Sequence, residues 1–382
     1  MNAETKLFSC LRNAICGEKL GEEVIKACTQ EQLEAVYVLA KKHDLAHIVA
    51  HALENVAVPE CDVLQKLRKA KATAIYRYTQ LEYELERICG ILELGSIPFM
   101  PLKGSVLRPF YPEPWMRSSC DIDVLVKEED LWQAVSMLEN SGFRRVVQKS
   151  KHDISLYAPC GVHLELHHTL VKYTYPEQWH RILNNAWEQA DQKKGTKYQY
   201  IMTDAMYYYS HMAHLAGHIL FGGCGIKMIM DMWVLNNRKT GDKAVRDMLL
   251  EQGKLLYLAK ETEKLAECWF SGIPMDNETK CLASYFINSG TYGTNKNKIV
   301  LQKLNTTKGK TDYRRVVLPL SEMRCYYPVL DKKPWLLPIY QVRRWFRVVK
   351  ARWERLQREL AGQNVSRKAE EEMQNILRYL DL

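Results

Sequence analysis

The sequence predicts an α+β protein in which a mixed β-sheet is flanked by N-terminal and C-terminal helical regions. Two observations support this class. Between residues 95 and 168, apolar and polar residues alternate in short runs, which is typical of strands with one buried face. Before and after that stretch, apolar residues recur every three or four positions, which is the spacing of amphipathic helices. We expect the helices before residue 95 to support the sheet.

Punctuating residues divide the chain into five parts. Gly95 closes a long helical pattern, and a stretch rich in Gly, Asn, Thr and Lys at 289–312 predicts a mobile loop. The predicted parts are a helical region at 1–94, the mixed core at 95–200, a helical extension at 201–290, a loop and extended segment at 291–340, and a basic amphipathic C-terminal helix within 341–382. In the core, strands are expected at 97–102, 120–126, 144–149, 152–158 and 161–168, with helices from 104 and over 128–140.

The net charge and the cysteine content indicate which cellular compartment and which kinds of binding partner to expect for this protein. The net charge of +9 suits anionic partners, and much of the excess lies at 296–367. The 11 cysteines are odd in number and form no Cys-x-x-Cys pair, which favours reduced thiols in a cytoplasmic protein. Because no run of about 18 uncharged apolar residues occurs, we expect no transmembrane segment and no signal peptide.

Two acidic residues stand in the predicted strand Ser119-Cys-Asp-Ile-Asp-Val-Leu-Val126. Side chains two apart on a strand share a face, so Asp121 and Asp123 point the same way. At about 5 Å and an effective dielectric of about 20, two such charges repel by roughly 3 kcal/mol. A divalent metal ion is the simplest explanation for this pair.

A third acid lies in Gly161-Val-His-Leu-Glu-Leu-His167, which again alternates like a strand. Glu165 faces the same side as His163 and His167. If this strand pairs beside the first, three carboxylates converge. Oxygen ligands of this kind suit Mg²⁺ or Mn²⁺, so Asp121, Asp123 and Glu165 are the predicted metal ligands.

The turn Lys103-Gly104-Ser105 follows the first predicted strand and precedes a helix. Backbone N–H groups and a hydroxyl at the start of a helix form a natural phosphate cradle. We therefore expect Gly104 and Ser105 to hold phosphates, with Lys103 assisting.

Taken together, these motifs resemble the polymerase-beta-type nucleotidyltransferase fold, and more narrowly a bacterial family of uncharacterised nucleotidyltransferases. The similarity covers about residues 95–235. Two features depart from the superfamily pattern: Gly104 and Asp121 are 17 positions apart, and a lysine precedes Gly104 where a second small residue is common. The motifs that carry the resemblance are Pro101-Leu-Lys-Gly104, Tyr111-Pro, Arg117 and Asp121-Ile-Asp-Val-Leu-Val126.

The resemblance implies transfer of a nucleoside monophosphate from an NTP, with ATP among the candidates, to an acceptor, and release of pyrophosphate. Asp121, Asp123 and Glu165 would be catalytic, and Glu165 would complete the metal site or take the proton of the acceptor. The acceptor, whether a small molecule, sugar, RNA or protein, stays open, and so does the base of the NTP. Residues expected to contact the nucleotide are Lys103, Gly104, Ser105, Arg117, His167, His214 and Lys227.

Several of these assignments have plain structural alternatives. Arg117 would serve equally as a loop cation beside the acidic cluster. His211, His214 and His218 share one helical face, which the resemblance suggests closes over the nucleotide, but helical position alone does not assign a role. Asp231 would pair with Lys227 four positions earlier.

Two other functions fit parts of the sequence. An Asp-x-Asp strand also occurs in metal-dependent glycosyltransferases, which use it to hold a nucleotide-sugar. A non-catalytic nucleotide-binding scaffold would instead act through the amphipathic helix at 341–360, whose basic face suits an anionic membrane or nucleic acid. The apolar stripe of that helix would otherwise pack on the protein itself.

Overall fold

A computed structural model describes residues 2–21, 29–57, 60–146, 152–172, 174–238, 241–291, 293–306, 317–318, 320–327, 329–361 and 367–382. The predicted α+β class is confirmed, with a five-stranded mixed sheet and helices around it. The helices are α1 Ala3–Cys16, α2 Gln30–Lys42, α3 Ala46–Ala52, α4 Asp62–Leu94, α5 Gly104–Leu107, α6 Leu131–Asn140, α7 Glu177–Leu183, α8 Asp204–Phe221, α9 Ile226–Asn237, α10 Lys243–Gln252, α11 Leu256–Phe270, α12 Asn277–Ser289, α13 Asn295–Thr306, α14 Leu320–Tyr326, α15 Val329–Lys332, α16 Leu337–Ala361 and α17 Arg367–Tyr379.

The main sheet brings two distant strands side by side at its centre. Its order is β1-β2-β5-β4-β3; β2 and β5 are parallel and every other pair is antiparallel. A separate hairpin pairs β6 with β7. The strands are shorter than predicted, and part of the strand expected at 144–149 lies outside the described residues. Their bounds are β1 Phe99–Pro101, β2 Asp121–Val126, β3 Arg144–Arg145, β4 Asp153–Tyr157, β5 His163–His167, β6 Ala190–Gln192 and β7 Tyr200–Met202.

The two faces of the sheet have opposite chemistry because strand side chains alternate. Ile122, Val124, Leu164 and Leu166 are fully buried on one face, where they pack with apolar residues of α4 and α6. Burying each such side chain contributes about 1.5–3 kcal/mol. The acidic residues of β2 and β5 are therefore held on the opposite face.

A second and larger core joins the N-terminal helices to the helical extension. Leu7 and Leu11 of α1 and Ile48 of α3 are buried in the same cluster as Trp269 and Phe270 of α11. At the start of α2, the Thr29 side chain accepts a hydrogen bond from the Gln32 N–H and caps the helix. The N-terminal region thus contacts the extension as well as the sheet.

The prediction of a mobile loop at 289–312 is wrong for α13 at Asn295–Thr306. The Thr294 hydroxyl accepts a hydrogen bond from the Asn297 N–H at 3.0 Å, which caps the helix. Val300 and Leu301 are 1% and 3% exposed within the larger core. This cap and short apolar pair outweigh the polar composition of the stretch. Residues 307–312 of the predicted loop lie outside the described residues.

The predicted basic amphipathic helix is α16, and it turns its apolar stripe outward. Ile339, Phe346, Val349 and Trp353 are 63–73% exposed. The alternative that this stripe packs on the protein is therefore wrong for these side chains. None of the helices in the described ranges combines the length and the apolar character that a membrane crossing requires.

Candidate active site

The parallel pairing of β2 and β5 brings the predicted carboxylates together. Asp123 is the register partner of Glu165, and Asp121 is the register partner of His163. The ligand atoms of Asp123, Glu165 and His167 all lie within 4.8 Å of one another, and so do those of Asp121, His163 and Glu165. Glu165 belongs to both groups, so the three acids form one continuous acidic face.

A lysine and a histidine neutralise the centre of this face. Lys103 Nζ lies 2.5 Å from Asp123 Oδ1 and 3.9 Å from Glu165 Oε2. His167 Nε2 lies 2.9 Å from Asp123 Oδ1 and 3.5 Å from Glu165 Oε2. Asp123 is 3% exposed, so its charge depends on these two partners rather than on water.

The two aspartates have opposite pKa shifts because their partners differ. Burial alone would raise the pKa of the Asp123 carboxyl, but the Lys103 ammonium and the His167 imidazole together hold it well below its usual value. Burial, together with the nearby Asp123 charge, raises the pKa of Asp121. A hydrogen bond with His167 lowers the pKa of Glu165. Near neutral pH, Asp123 and Glu165 are therefore both carboxylates.

Lys103 has an unusual backbone conformation. Its φ is 45° and its ψ is −117°, a combination that glycine adopts more readily than any L-residue. The Tyr207 hydroxyl donates to the Lys103 carbonyl at 2.8 Å, and the Lys103 side chain is tied to Asp123. Together these contacts hold the lysine in its strained conformation.

Gly104 and Ser105 begin the short helix α5 directly after Lys103. The buried Ser105 hydroxyl has no hydrogen-bond partner among the described residues. A Cβ atom at position 104 would meet the Ser119 hydroxyl at 3.4 Å, which is ordinary contact. The space around Gly104 therefore does not by itself demand glycine.

Arg117 forms a buried pair with Asp231 of α9. Its Nε and Nη2 atoms donate to the two oxygens of Asp231 at 3.0 and 2.9 Å. The Tyr111 hydroxyl also donates to Asp231, and Asp231 is fully buried. This bidentate pair fastens the loop before β2 to the helical extension.

Lys227 pairs with Asp44, 3.4 Å away, and donates to the Ser118 carbonyl at 3.1 Å. The expected pair between Lys227 and Asp231 is wrong, because Asp231 is already occupied by Arg117. Arg117 Nη1 donates to the same Ser118 carbonyl at 2.9 Å, so the two cations together fix the loop that leads into the acidic strand.

A cleft separates the acidic face from α8. Lys172 and Tyr207 line this cleft although neither belongs to a motif that the sequence reveals. His214 lies 3.1 Å from His218, Nε2 to Nε2, and His211 Nε2 is buried with no hydrogen-bond partner among the described atoms. Polar side chains that line the cleft are Lys103, His152, His167, Lys172, Tyr175, Tyr207, Ser210, His211 and His214.

The fold and the site define an α+β protein with three clustered carboxylates beside a lysine-bearing turn. The chain belongs to the uncharacterised nucleotidyltransferase family, whose profile matches residues 29–271. The match includes α2 to α4, the main sheet and most of the helical extension. All three carboxylates therefore lie within the family region.

Two further comparisons complete this picture. The search of curated proteins gave no match to the chain. Among solved structures, the chain is similar to the antibiotic-resistance factor ANT(2'')-Ia, whose solution structure is described as revealing substrate-regulated conformation dynamics. The two chains are 12% identical, with a TM-score of 0.34; the match covers 49% of this chain and 97% of the other.

Proposed function

We propose that the protein is a metal-dependent nucleotidyltransferase that moves a nucleoside monophosphate from an NTP to an acceptor hydroxyl. The observation that carries this proposal is the in-register placement of Asp123 beside Glu165, with Asp121 next along β2. The family match supports the same class of reaction. The use of a metal ion, of an NTP donor and of an acceptor hydroxyl is part of this proposal.

The acidic face fits a hard divalent cation. Three carboxylates and two imidazoles offer ligand atoms in two overlapping groups, each within 4.8 Å, and carboxylate oxygens suit Mg²⁺ or Mn²⁺. Asp121, Asp123 and Glu165 would hold the ion. When bound, the ion would offset the negative charge of the triphosphate and of the transition state.

The protein's own residues would position the phosphates and move the proton. The unpartnered Ser105 hydroxyl and the backbone N–H of Gly104, at the start of α5, would donate to the β- and γ-phosphates. The acceptor oxygen forms a bond to the α-phosphorus as the bond to the β-phosphate oxygen breaks, and pyrophosphate leaves. The acceptor proton passes to the carboxylate of Glu165.

The other residues expected to bind the nucleotide fall into two groups: some line the cleft, and others act through the loop before β2. Lys103, His167 and His214 line the cleft and would contact the nucleotide directly. Arg117 and Lys227 are engaged with Asp231 and Asp44, so we propose that they position the loop before β2. In this arrangement they are positioning residues rather than phosphate ligands.

A mass-spectrometric assay tests the reaction. The purified full chain is incubated with each NTP, Mg²⁺ and a cell extract, and nucleotide-labelled products are sought. The Asp121→Asn, Asp123→Asn double variant should lose at least about 100-fold in rate, because it removes two of the three negative charges that would hold the metal ion. Glu128→Gln, an exposed change just after β2, should behave like wild type.

Two results would contradict this function. Labelling that survives the double Asp→Asn change would remove the acidic face from the reaction. UDP-sugar hydrolysis without NTP turnover would favour the glycosyltransferase alternative instead.

We also propose that α16 docks on an anionic lipid surface. The outward residues Ile339, Val342, Phe346, Val349 and Trp353 follow alternating spacings of three and four, which gives one continuous apolar stripe. Exposed arginines accompany the stripe, and such charge complements anionic headgroups.

Vesicle co-sedimentation tests this surface. The wild-type chain should pellet with vesicles that contain phosphatidylserine and stay in solution with phosphatidylcholine vesicles. Phe346→Asp with Trp353→Asp should abolish pelleting, whereas Ile273→Asp, an exposed change on another surface, should not. Equal pelleting of all three chains, or binding only to RNA, would overturn the proposal.

A further inference from the structure

A second pocket, which shares no lining residue with the cleft beside α8, lies against the loop that precedes β2. Helices α2 and α4 and residues 115–119 surround it. Its volume is about 440 Å³, within the range of small-molecule sites. We call it the basic pocket because six cationic side chains line it: Lys41, Lys66, Lys69, Arg77, Arg108 and Arg117.

Positive charge is in excess in the basic pocket. Asp44 is the one carboxylate among its lining residues, and Lys227 already pairs with it. Lys41, Lys69 and Arg77 have no ion-pair partner within the described part of the chain. A concave site with uncompensated cations attracts and retains anions.

The inner end of the pocket contains a buried cation. Arg108 is 1% exposed, whereas the side chain of Glu82, its ion-pair partner at 3.3 Å, is 36% exposed. Burial, together with the charge of the neighbouring Arg117, lowers the pKa of Arg108. An anionic group in the pocket would relieve this repulsion between the two guanidinium groups.

The pocket ends next to the acidic strand. Ser119 is in its wall, accepts a hydrogen bond from Arg108, and donates to the Asp121 carbonyl at 3.1 Å. The same hydroxyl lies 3.4 Å from the Cβ position of Gly104. A molecule held here would thus lie next to the start of the acidic strand and to the Gly104 turn.

We propose that the basic pocket binds the acceptor, and that the acceptor is a small molecule carrying a phosphate group. Trp115, Tyr37 and Tyr78 supply ring surfaces for its organic part, while Lys41, Lys69 and Arg77 hold the phosphate. This inference rests on the proposed nucleotidyl transfer, with the acceptor hydroxyl directed toward the α-phosphorus. It assigns the substrate class, which the motifs leave open.

Phosphatase treatment of the extract tests the class of acceptor. The small-molecule fraction of a cell extract is treated with alkaline phosphatase, the phosphatase is removed, and the NTP, Mg²⁺ and full chain are added. The nucleotide-labelled product should disappear. A product that persists after this treatment, or one that is acid-insoluble and sensitive to ribonuclease, would overturn the proposal.

Charge reversal tests the location. Lys69→Glu with Arg77→Glu should raise the KM for the acceptor at least about tenfold, with little change in NTP affinity, because the pair contacts only the acceptor phosphate. Arg68→Glu lies on the same helix outside the pocket and pairs only with the exposed Glu60. It should leave the acceptor KM unchanged, and an equal KM for all three chains would overturn the location.

A binding readout separates this inference from the proposed function. Inorganic phosphate, at constant ionic strength, should raise the Tm of wild type and of the Asp121→Asn variant alike, but not that of Lys69→Glu with Arg77→Glu. If no NTP is turned over but these Tm responses to phosphate are observed, the proposed nucleotidyl transfer is wrong and the anion site is supported. If NTP is turned over but phosphate still raises the Tm of the charge-reversed chain, the proposed anion site is wrong.

Discussion

The ammonium group of Lys103 lies 2.5 Å from Oδ1 of Asp123, on the acidic face where a metal ion would bind. The lysine comes from the turn that would hold the phosphates, so one side chain links the two halves of the site. A divalent cation and the Lys103 ammonium would compete for the same carboxylate oxygens. A bound triphosphate would draw the lysine away from Asp123.

Replacing Lys103 with methionine removes this competition at nearly constant volume. We expect MgCl₂ alone to raise the Tm of the Lys103→Met variant more than that of wild type, because binding to the folded state is linked to stability. Lys194→Met, an exposed change, serves as the control. Equal Mg²⁺-induced shifts in wild type and Lys103→Met would show that the lysine does not compete with the ion.

The Arg117–Asp231 pair is predicted to dominate the stability of the loop before β2. Replacing Asp231 with leucine leaves a buried guanidinium without its partner, which costs about 3–5 kcal/mol. Adding Arg117→Met should recover most of this loss, since no buried charge remains. Urea denaturation measures all three chains.

An exposed ion pair provides the comparison for that experiment. Arg68→Gln breaks the pair with Glu60, whose side chains are 62% and 56% exposed, and should cost less than about 1 kcal/mol. If Asp231→Leu is as mild as Arg68→Gln, the buried pair does not hold the loop.

His43 gives folding stability a predictable pH dependence. Its Nδ1 accepts from the Ile226 N–H and its Nε2 contacts the Ile287 carbonyl at 2.9 Å, an arrangement that requires the neutral ring. Burial lowers the pKa of His43 to about 4. The unfolded chain takes up the proton below about 6.5, so this stabilisation is complete above that pH and is lost as the pH falls toward 4.

The variant His43→Gln isolates this contribution. Over that pH window the wild-type chain should lose about 3 kcal/mol more than the variant, because one proton binds only to the unfolded state. Chemical denaturation at a series of pH values measures the difference. Parallel pH profiles for the two chains would show that the ring is already protonated in the folded state.

Gly225 allows α9 to approach the His43 ring. A Cβ atom there would lie 2.3 Å from His43 Nδ1 and 2.9 Å from the backbone carbonyl of Gly290. Gly225→Ala should therefore destabilise the protein by about 1–3 kcal/mol. Gly90→Ala, at an exposed position in the C-terminal part of α4 with nothing within 4 Å, should stabilise it by about 0.5–1 kcal/mol. Thermal unfolding of both variants checks the opposite signs.

Strand periodicity was sufficient to predict the acidic face. The alternation in β2 and β5 placed each acid on one face, and their apolar neighbours explain why that face is opposite the core. The sequence did not specify that β2 and β5 are adjacent; that was an assumption, and the sheet order confirms it.

Other features depend on contacts that leave no local pattern. Asp231 is 114 residues from Arg117, so short-range spacing suggested Lys227 as its partner instead. The stripe of α16 illustrates a different limit, because amphipathic periodicity identifies an apolar face but does not say what covers it. In α13, a single capping threonine and two buried residues decided the structure against the surrounding composition.

The contacts of His43 also bear on the order in which the chain matures during synthesis. Its two backbone partners lie 183 and 244 positions downstream, so neither exists when the ribosome has released only the first helices. The His43 imidazole therefore cannot form both hydrogen bonds until most of the polypeptide has been synthesised. Distant contacts of this kind slow folding, so the N-terminal helices, although they are made first, cannot complete these contacts until the chain beyond Ile287 has been synthesised.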